Sequence, residues 1–131
     1  MLNSLKGMNI YYHGWVSKQE LSLAWLTSDI WFYPCTFMET FCLTALEAAV
    51  THTLAICSNL AALKNTVDYR GILIDGDPIL ESWQDNAINV LFNSITNLQL
   101  KNHLLNSNYL WAKNMSWKNQ ANLLLSKYIK L

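Results

Sequence analysis

The sequence predicts an α/β fold, a parallel sheet flanked by helices, and three observations carry that prediction. Four short apolar runs, "NIYYH" (9–13), "IWFYP" (30–34), "TLAIC" (53–57) and "GILI" (71–74), have the length and the β-branched or aromatic content of strands. The stretches between them show helical patterning, the alternation that βαβ units produce. The runs are also nearly continuous in apolar character, as strands covered by helices on both faces are.

The elements follow in order. In "SKQELSLAWLTS", Ser17 stands three residues before Glu20, the spacing of a capping box, and Leu21 and Trp25 lie one turn apart, so a helix is predicted. From 41 to about 50, "FCLTALEAAV" is rich in helix formers and places Leu43, Leu46 and Ala49 on one face. "NLAALKNTV" (59–67) is a weaker helical pattern. "DGDP" (75–78) is turn chemistry, because Gly76 tolerates positive φ and Pro78 fixes the next step. The region from about 83 to 131 is mainly helical: Trp83, Ala87, Leu91, Ile95 and Leu98 keep one apolar face, and a further helix starts near Ser116.

Composition narrows the function. The chain has 131 residues, the size of one domain, and 52% of them are hydrophobic against 14% charged, which excludes a disordered chain. Nine basic and nine acidic side chains cancel without a basic stripe, so no nucleic-acid partner is expected. Such low charge fits a surface covered by a partner or by self-association. Cys35, Cys42 and Cys57 are odd in number and lack C-x-x-C spacing, so neither a disulfide framework nor a metal site is indicated. With no signal-peptide pattern at the N-terminus and no run of about 20 apolar residues, a soluble, cytoplasmic location is expected.

The stretch "METFCLTALEAA" (38–49) holds the candidate chemistry. In a wound parallel sheet, ligands sit beyond the carboxyl ends of the strands, where loops run into helix N-termini. "YPCTFMETFCL" is such a loop: it places Glu39 before the helix and Glu47 about two turns down it. The backbone N–H groups of Phe41, Cys42, Leu43 and Thr44 are then the free donors of a helix N-terminus, which attract phosphate. Taken alone, the two acids also read as an exposed loop acid and a solvated helix acid.

The larger pattern "SDIWFYPCTFMETFCLTALEAA" (28–49) resembles the signature of the retaining nucleotide-sugar glycosyltransferases with the two-domain GT-B fold (family four, glycosyl transferases group 1): a strand ending in Pro, then two Glu separated by seven residues. "NIYYHGWVSKQELSLAWLTSD" is similar to the family's preceding strand, Gly turn and helix. "YRGILIDGD" is similar to its later strand and turn, and "NMSWKNQANLLL" to its terminal Trp-bearing helix.

The resemblance implies the incomplete C-terminal domain of such an enzyme, a Rossmann-like sheet, with residues 1–131 as a single partial domain. It implies that Glu39 contacts hydroxyls of the donor sugar beside the reacting carbon and that Glu47 accepts from the ribose. Leu43 and Thr44 match the positions whose backbone amides meet the diphosphate, and the turn Gly14, Trp15, Val16 corresponds to the segment beside the base. A nucleoside-diphosphate sugar is the implied substrate, with an unspecified acceptor and neither cofactor nor obligatory metal.

The chain departs from the family at several points. Cys42 stands where Gly is usual, and "AVTHTLAICS" (49–58) replaces the turn in which the family has Gly and Pro. Lys6-Gly7 echoes a basic pair of the family but precedes the wrong strand. The family's N-terminal domain and the opening strands with their basic pair have no counterpart, so catalysis is not expected from this chain alone. The expected uncovered residues are Leu123, Leu124 and Tyr128 of the terminal helix.

The remaining candidates read as structural. Trp25, Trp31, Trp83 and Trp111 are expected to fill the core or an interface, and Trp117 to pack. His13 is expected to be buried, His52 to sit in a surface turn and His103 to be exposed, while Thr36 serves a local turn as readily as a ligand. A truncated, noncatalytic interaction module with the same fold is the alternative function; it predicts no nucleotide binding. An unrelated α/β regulatory domain lacks the acidic strand ends it would need.

Overall fold

The computed structural model describes residues 8–129, as an α/β unit built on a three-stranded parallel sheet of order β1-β2-β3. The elements are α1 (Lys18–Thr27), β1 (Ile30–Tyr33), α2 (Leu43–Val50), β2 (Leu54–Ser58), α3 (Leu63–Thr66), a 3-10 turn (Asp68–Arg70), β3 (Ile72–Ile74), α4 (Glu81–Thr96), α5 (Leu98–Asn114) and α6 (Trp117–Tyr128). In register, Ile30 pairs with Leu54 and Tyr33 with Cys57 across β1 and β2, and Ile56 pairs with Ile72 across β2 and β3.

Because successive side chains of a strand point to opposite faces, the sheet sorts its residues into two cores. Leu54 and Ile56 of β2 and Ile74 of β3 pack with Trp83 and Ala87 of α4 and Leu104 of α5. The intervening Ala55 and Cys57 face Ala45 of α2, with Leu63, Val67, Cys35 and Cys42. The two sides differ in bulk: the α4 side carries large residues, and the α2 side is floored by alanines and cysteines that let backbone approach the sheet.

Gly71, just before β3, belongs to that close approach. A Cβ there would stand 2.5 Å from Val67 Cγ1 and 2.8 Å from the Ala55 carbonyl oxygen, inside van der Waals contact with a main-chain atom. The crossover from α3 is fastened by Arg70, whose buried guanidinium donates to the carbonyls of Asn65 (2.9 Å) and Thr66 (3.2 Å). The same guanidinium lies over the Trp111 ring of α5, 4.5 Å from its centroid, so one side chain joins the crossover to the outer helical layer.

Two further ties position β1. The buried hydroxyl of Thr53 lies 3.1 Å from the carbonyls of both Trp25 and Ser28, joining the end of α1 to the start of β2. Lys101 of α5 donates to Asp29 at 2.8 Å, which holds that carboxyl below the usual aspartate range.

The structure corrects several expectations. "NIYYH" is not a strand: residues 10–14 are irregular and exposed, because an extended segment becomes a strand only by pairing and the sheet holds no partner for it. Helix α2 begins at Leu43, two residues later than expected, and its buried stripe runs through Ala45, Ala48 and Ala49, leaving Leu43 exposed. The pattern over 59–67 condenses to the single turn α3. On α4 the buried face is Trp83, Ala87 and Ser94, and Ile95 and Leu98 are exposed, because the chain breaks at Asn97 before α5. Trp83 is buried, whereas Trp25, Trp31 and Trp111 are half-buried.

The capping box is present, with Ser17 and Glu20 exchanging bonds as the spacing predicts. Among the described residues no helix is long and apolar enough to cross a membrane.

The crowding at Gly71 sets a stability prediction. Gly71→Ala forces its methyl against the Ala55 carbonyl and should destabilise the chain by about 1–3 kcal/mol, read as a lower urea midpoint at unchanged slope.

Candidate functional site

The loop from 34 to 42 is tied down along its length. Pro34 closes β1, and the buried Cys35 thiol donates to the Phe37 carbonyl (3.2 Å) while accepting from the Phe37 N–H (3.3 Å). The Glu39 carbonyl accepts from Ala62 N–H at 3.2 Å, and the Phe41 carbonyl accepts from the buried Thr66 hydroxyl. Glu39 itself is half-buried, with one carboxylate oxygen accepting from the Tyr33 hydroxyl at 2.9 Å. The Cys35 thiol, partial burial and that bond to Glu39 together hold the Tyr33 phenol well above its ordinary range. Tyr33 therefore remains a donor, and the Glu39 carboxylate is aimed by strand β1.

Between the two glutamates the backbone turns left-handed. Cys42 has φ +66° and ψ 79°, and it occupies the N-cap of α2 without a capping hydrogen bond from its side chain. A residue with a Cβ is disfavoured there by roughly 1–2 kcal/mol, and glycine is not. The helix starts at Leu43, so the N–H groups at its N-terminus are those of Cys42, Leu43 and Thr44, with Phe41 just before them on the cleft wall.

Glu39, Phe41, Cys42, Leu43 and Glu47 line one wall of a cleft of about 980 Å³, at the upper end of the volumes that hold small molecules. The opposite wall comes from the end of α5 and the start of α6, with Lys113, Met115, Ser116, Trp117 and Gln120. Thr44 lies on α2, half-buried, outside this lining. Gly14, Trp15 and Val16 are not brought to it: they precede α1, and Trp15 is fully exposed. Lys6 and Gly7 fall outside the described residues.

Two other expectations change. His13 is exposed, since the strand it was to end does not form. Trp117 does not pack: it is 86% exposed on the cleft wall. His52, at φ +56°, stacks on Tyr109 with 4.2 Å between centroids, and His103 is exposed. A smaller cleft of about 290 Å³ at the carboxyl ends of the strands holds Cys35, Thr36, Gly76 and Asp77.

The three cysteines gather in the core beside this loop, all buried and all free. Burial pushes the Cys42 thiol up, aided by the neighbouring Glu39 and Cys35 side chains and opposed by the N–H groups of Ala45 and Thr44. Burial, then Cys42 and Cys35, pushes Cys57 from 9.0 up to about 12. At neutral pH Cys42 and Cys57 are thiols, not nucleophilic thiolates. Among the described residues no group of three or more His, Cys, Asp or Glu side chains could hold a metal ion.

Lys113 and Trp117 were not legible as cleft residues. The lysine has no motif around it, and the tryptophan sits at the first position of a helix whose apolar pattern suggests packing.

Two predictions follow from the loop. Cys42→Gly and Cys42→Ala both lose the buried thiol, but only alanine keeps a Cβ at positive φ; the glycine variant should be the more stable by about 1 kcal/mol in urea denaturation. The second concerns pH. A thiol whose pKa is raised by folding stabilises the fold fully below its unfolded value, and that contribution is lost as pH climbs through the folded value. Stability should therefore fall between pH 9 and about 12, and Cys57→Ala should flatten that slope, leaving the part due to Tyr33, whose phenol is also raised by folding.

No protein-family model matches this chain, and no curated protein shows a significant match to it.

Proposed function

We propose that the larger cleft is the donor half-site of a retaining glycosyltransferase that uses a nucleoside-diphosphate sugar, and that the chain is the nucleotide-sugar-binding portion of a GT-B fold. The supporting observation is that Glu39 and Glu47, eight residues apart, line the same wall of one cleft, with the left-handed N-cap of α2 between them.

The chemistry follows from the groups. An ionised carboxylate only accepts hydrogen bonds and can take two hydroxyls at once, which suits sugar recognition. Glu39, held by Tyr33, takes hydroxyls of the donor sugar; Glu47, exposed on α2, takes those of the ribose. The first N–H groups of α2 face the diphosphate, where the helix dipole favours negative charge. In the transfer, the bond between the sugar's anomeric carbon and the diphosphate oxygen breaks. The nucleoside diphosphate departs with the bonding electrons, an acceptor hydroxyl oxygen forms the new bond to the anomeric carbon, and its proton passes to the departing diphosphate oxygen. Turnover needs an acceptor-side partner to close the cleft and exclude water.

A specific observation favours the second reading, a noncatalytic interaction module. Neither α1 nor α6 buries a single residue, and Leu23, Leu26, Leu123, Leu124 and Tyr128 are exposed. Such faces are those of a protein that another polypeptide covers.

Titration with UDP, GDP and ADP, followed by amide chemical shifts, separates the two. The donor-site reading expects saturable shifts over residues 39–47 with at least one nucleotide, weakened tenfold or more by Glu47→Ala, the loss expected for a hydrogen bond to a charged group. A folded chain that shows no shift with any of the three supports the interaction module instead.

A further inference from the structure

We propose that the α5–α6 wall of the cleft completes the nucleotide site, with Lys113 neutralising the diphosphate and the Trp117 ring carrying the base. The inference rests on the donor-site reading and adds two residues to which neither the signature nor the loop assigns a ligand.

Charge balance carries the first half. Among the residues lining the cleft, Glu39 and Glu47 are the only acids and Lys113 the only base. A nucleoside diphosphate brings further negative charge into a space already holding two carboxylates. The N-terminus of α2 offers only about half an elementary charge, and no lysine or arginine lies on its own wall. Among the described residues the cation that the cleft itself offers lies across it, at Lys113. It sits in the last turn of α5, exposed, with its ammonium 5.4 Å from the Tyr109 ring centroid. The neighbouring Ala112 is buried, so the backbone beneath the lysine is anchored, and a diphosphate in the cleft would draw the ammonium from the Tyr109 ring.

Position and exposure carry the second half. Trp117 is the first residue of α6, directly after Ser116, whose hydroxyl caps the helix by accepting from Asn119 N–H at 3.3 Å. The cap fixes where the indole starts from, yet the ring is 86% exposed and lines the cleft opposite α2. A large aromatic face left open in a cleft is a stacking platform for a flat ring, and stacking tolerates any base. The remaining groups are otherwise employed. Arg70 is buried against α3 carbonyls, Cys42 and Cys57 are protonated, and the smaller cleft holds a carboxylate, Asp77, without a cation.

The test compares wild type, Glu47→Ala, Lys113→Gln and Trp117→Leu, each titrated with whichever of UDP, GDP and ADP binds tightest and with the matching nucleoside. Binding is read by calorimetry and amide shifts. Both new side chains are exposed, so thermal denaturation should show the two variants folded as wild type. Lys113→Gln should weaken the diphosphate about tenfold, leave the nucleoside within twofold, and lower the salt dependence of binding. Trp117→Leu should weaken nucleotide and nucleoside alike, with Trp117→Phe restoring most of the loss. If wild type binds and Glu47→Ala does not, while both wall variants bind as wild type, the wall has no part in the site and the donor-site reading stands without it. If wild type binds none of the nucleotides, both readings fall together.

Discussion

The close seating of α2 and α3 on the sheet is the constraint on which the site depends. The floor between them is made of Ala45, Ala55 and Cys57, with Gly71 allowing the crossover to pass the Ala55 carbonyl. Small side chains bring backbone against backbone, and dense packing leaves little room for adjustment. Once α2 is drawn in to that distance, the loop from Pro34 must climb from the strand end to the helix start in a fixed space. It does so through the left-handed Cys42, its carbonyls taken by Ala62 and Thr66. Glu39 and Glu47 face one cleft because of this geometry.

The loop is electrostatically settled as well. The acid nearest the sheet, Glu39, receives the Tyr33 hydroxyl, while Cys42 and Cys57 beneath it are held protonated chiefly by burial. A second ionised group under the loop would compete with Glu39 for the same donors, and neutral thiols do not. Cysteine thus acts here as a small hydrophobe that fills the space beneath a loop without adding charge. Strain at Cys42 of order 1 kcal/mol is a modest local cost against the burial of that side chain.

Much of the fold was legible because local patterns agreed with tertiary packing. β1, β2 and β3 lie within one residue of the runs at 30–34, 53–57 and 71–74, and the Ser17–Glu20 capping box forms as spaced. The failures have physical causes. "NIYYH" carries strand propensity, but strand formation is a property of a pair and no partner lies beside it. The helical face of α2 was read from its leucines, whereas a helix pressed close to a sheet buries its alanines and turns Leu43 outward. In the cleft, the loop wall was legible because a strand, a turn and two acids have fixed spacing. The opposite wall comes from residues some seventy positions later in the chain, and no spacing rule links Glu47 to Lys113 or Trp117.

Helix α6 joins the two functional readings. Its first residue, Trp117, lines the cleft, while Leu123, Leu124 and Tyr128 further along are exposed and none of its residues is buried. The helix is therefore held by its junction with α5 more than by packing, and segments with few buried contacts lie at the low-stability end of a fold. A ligand stacked on Trp117 and a polypeptide covering Leu124 would order the same helix. Each then lowers the entropic cost of the other, and the coupling is reciprocal by thermodynamic necessity. The interaction surface on α6 and the nucleotide site proposed for the cleft would consequently be linked through one element. On the proposed reading, covering α6 would tighten the nucleotide site, and filling the cleft would prepare α6 for its cover.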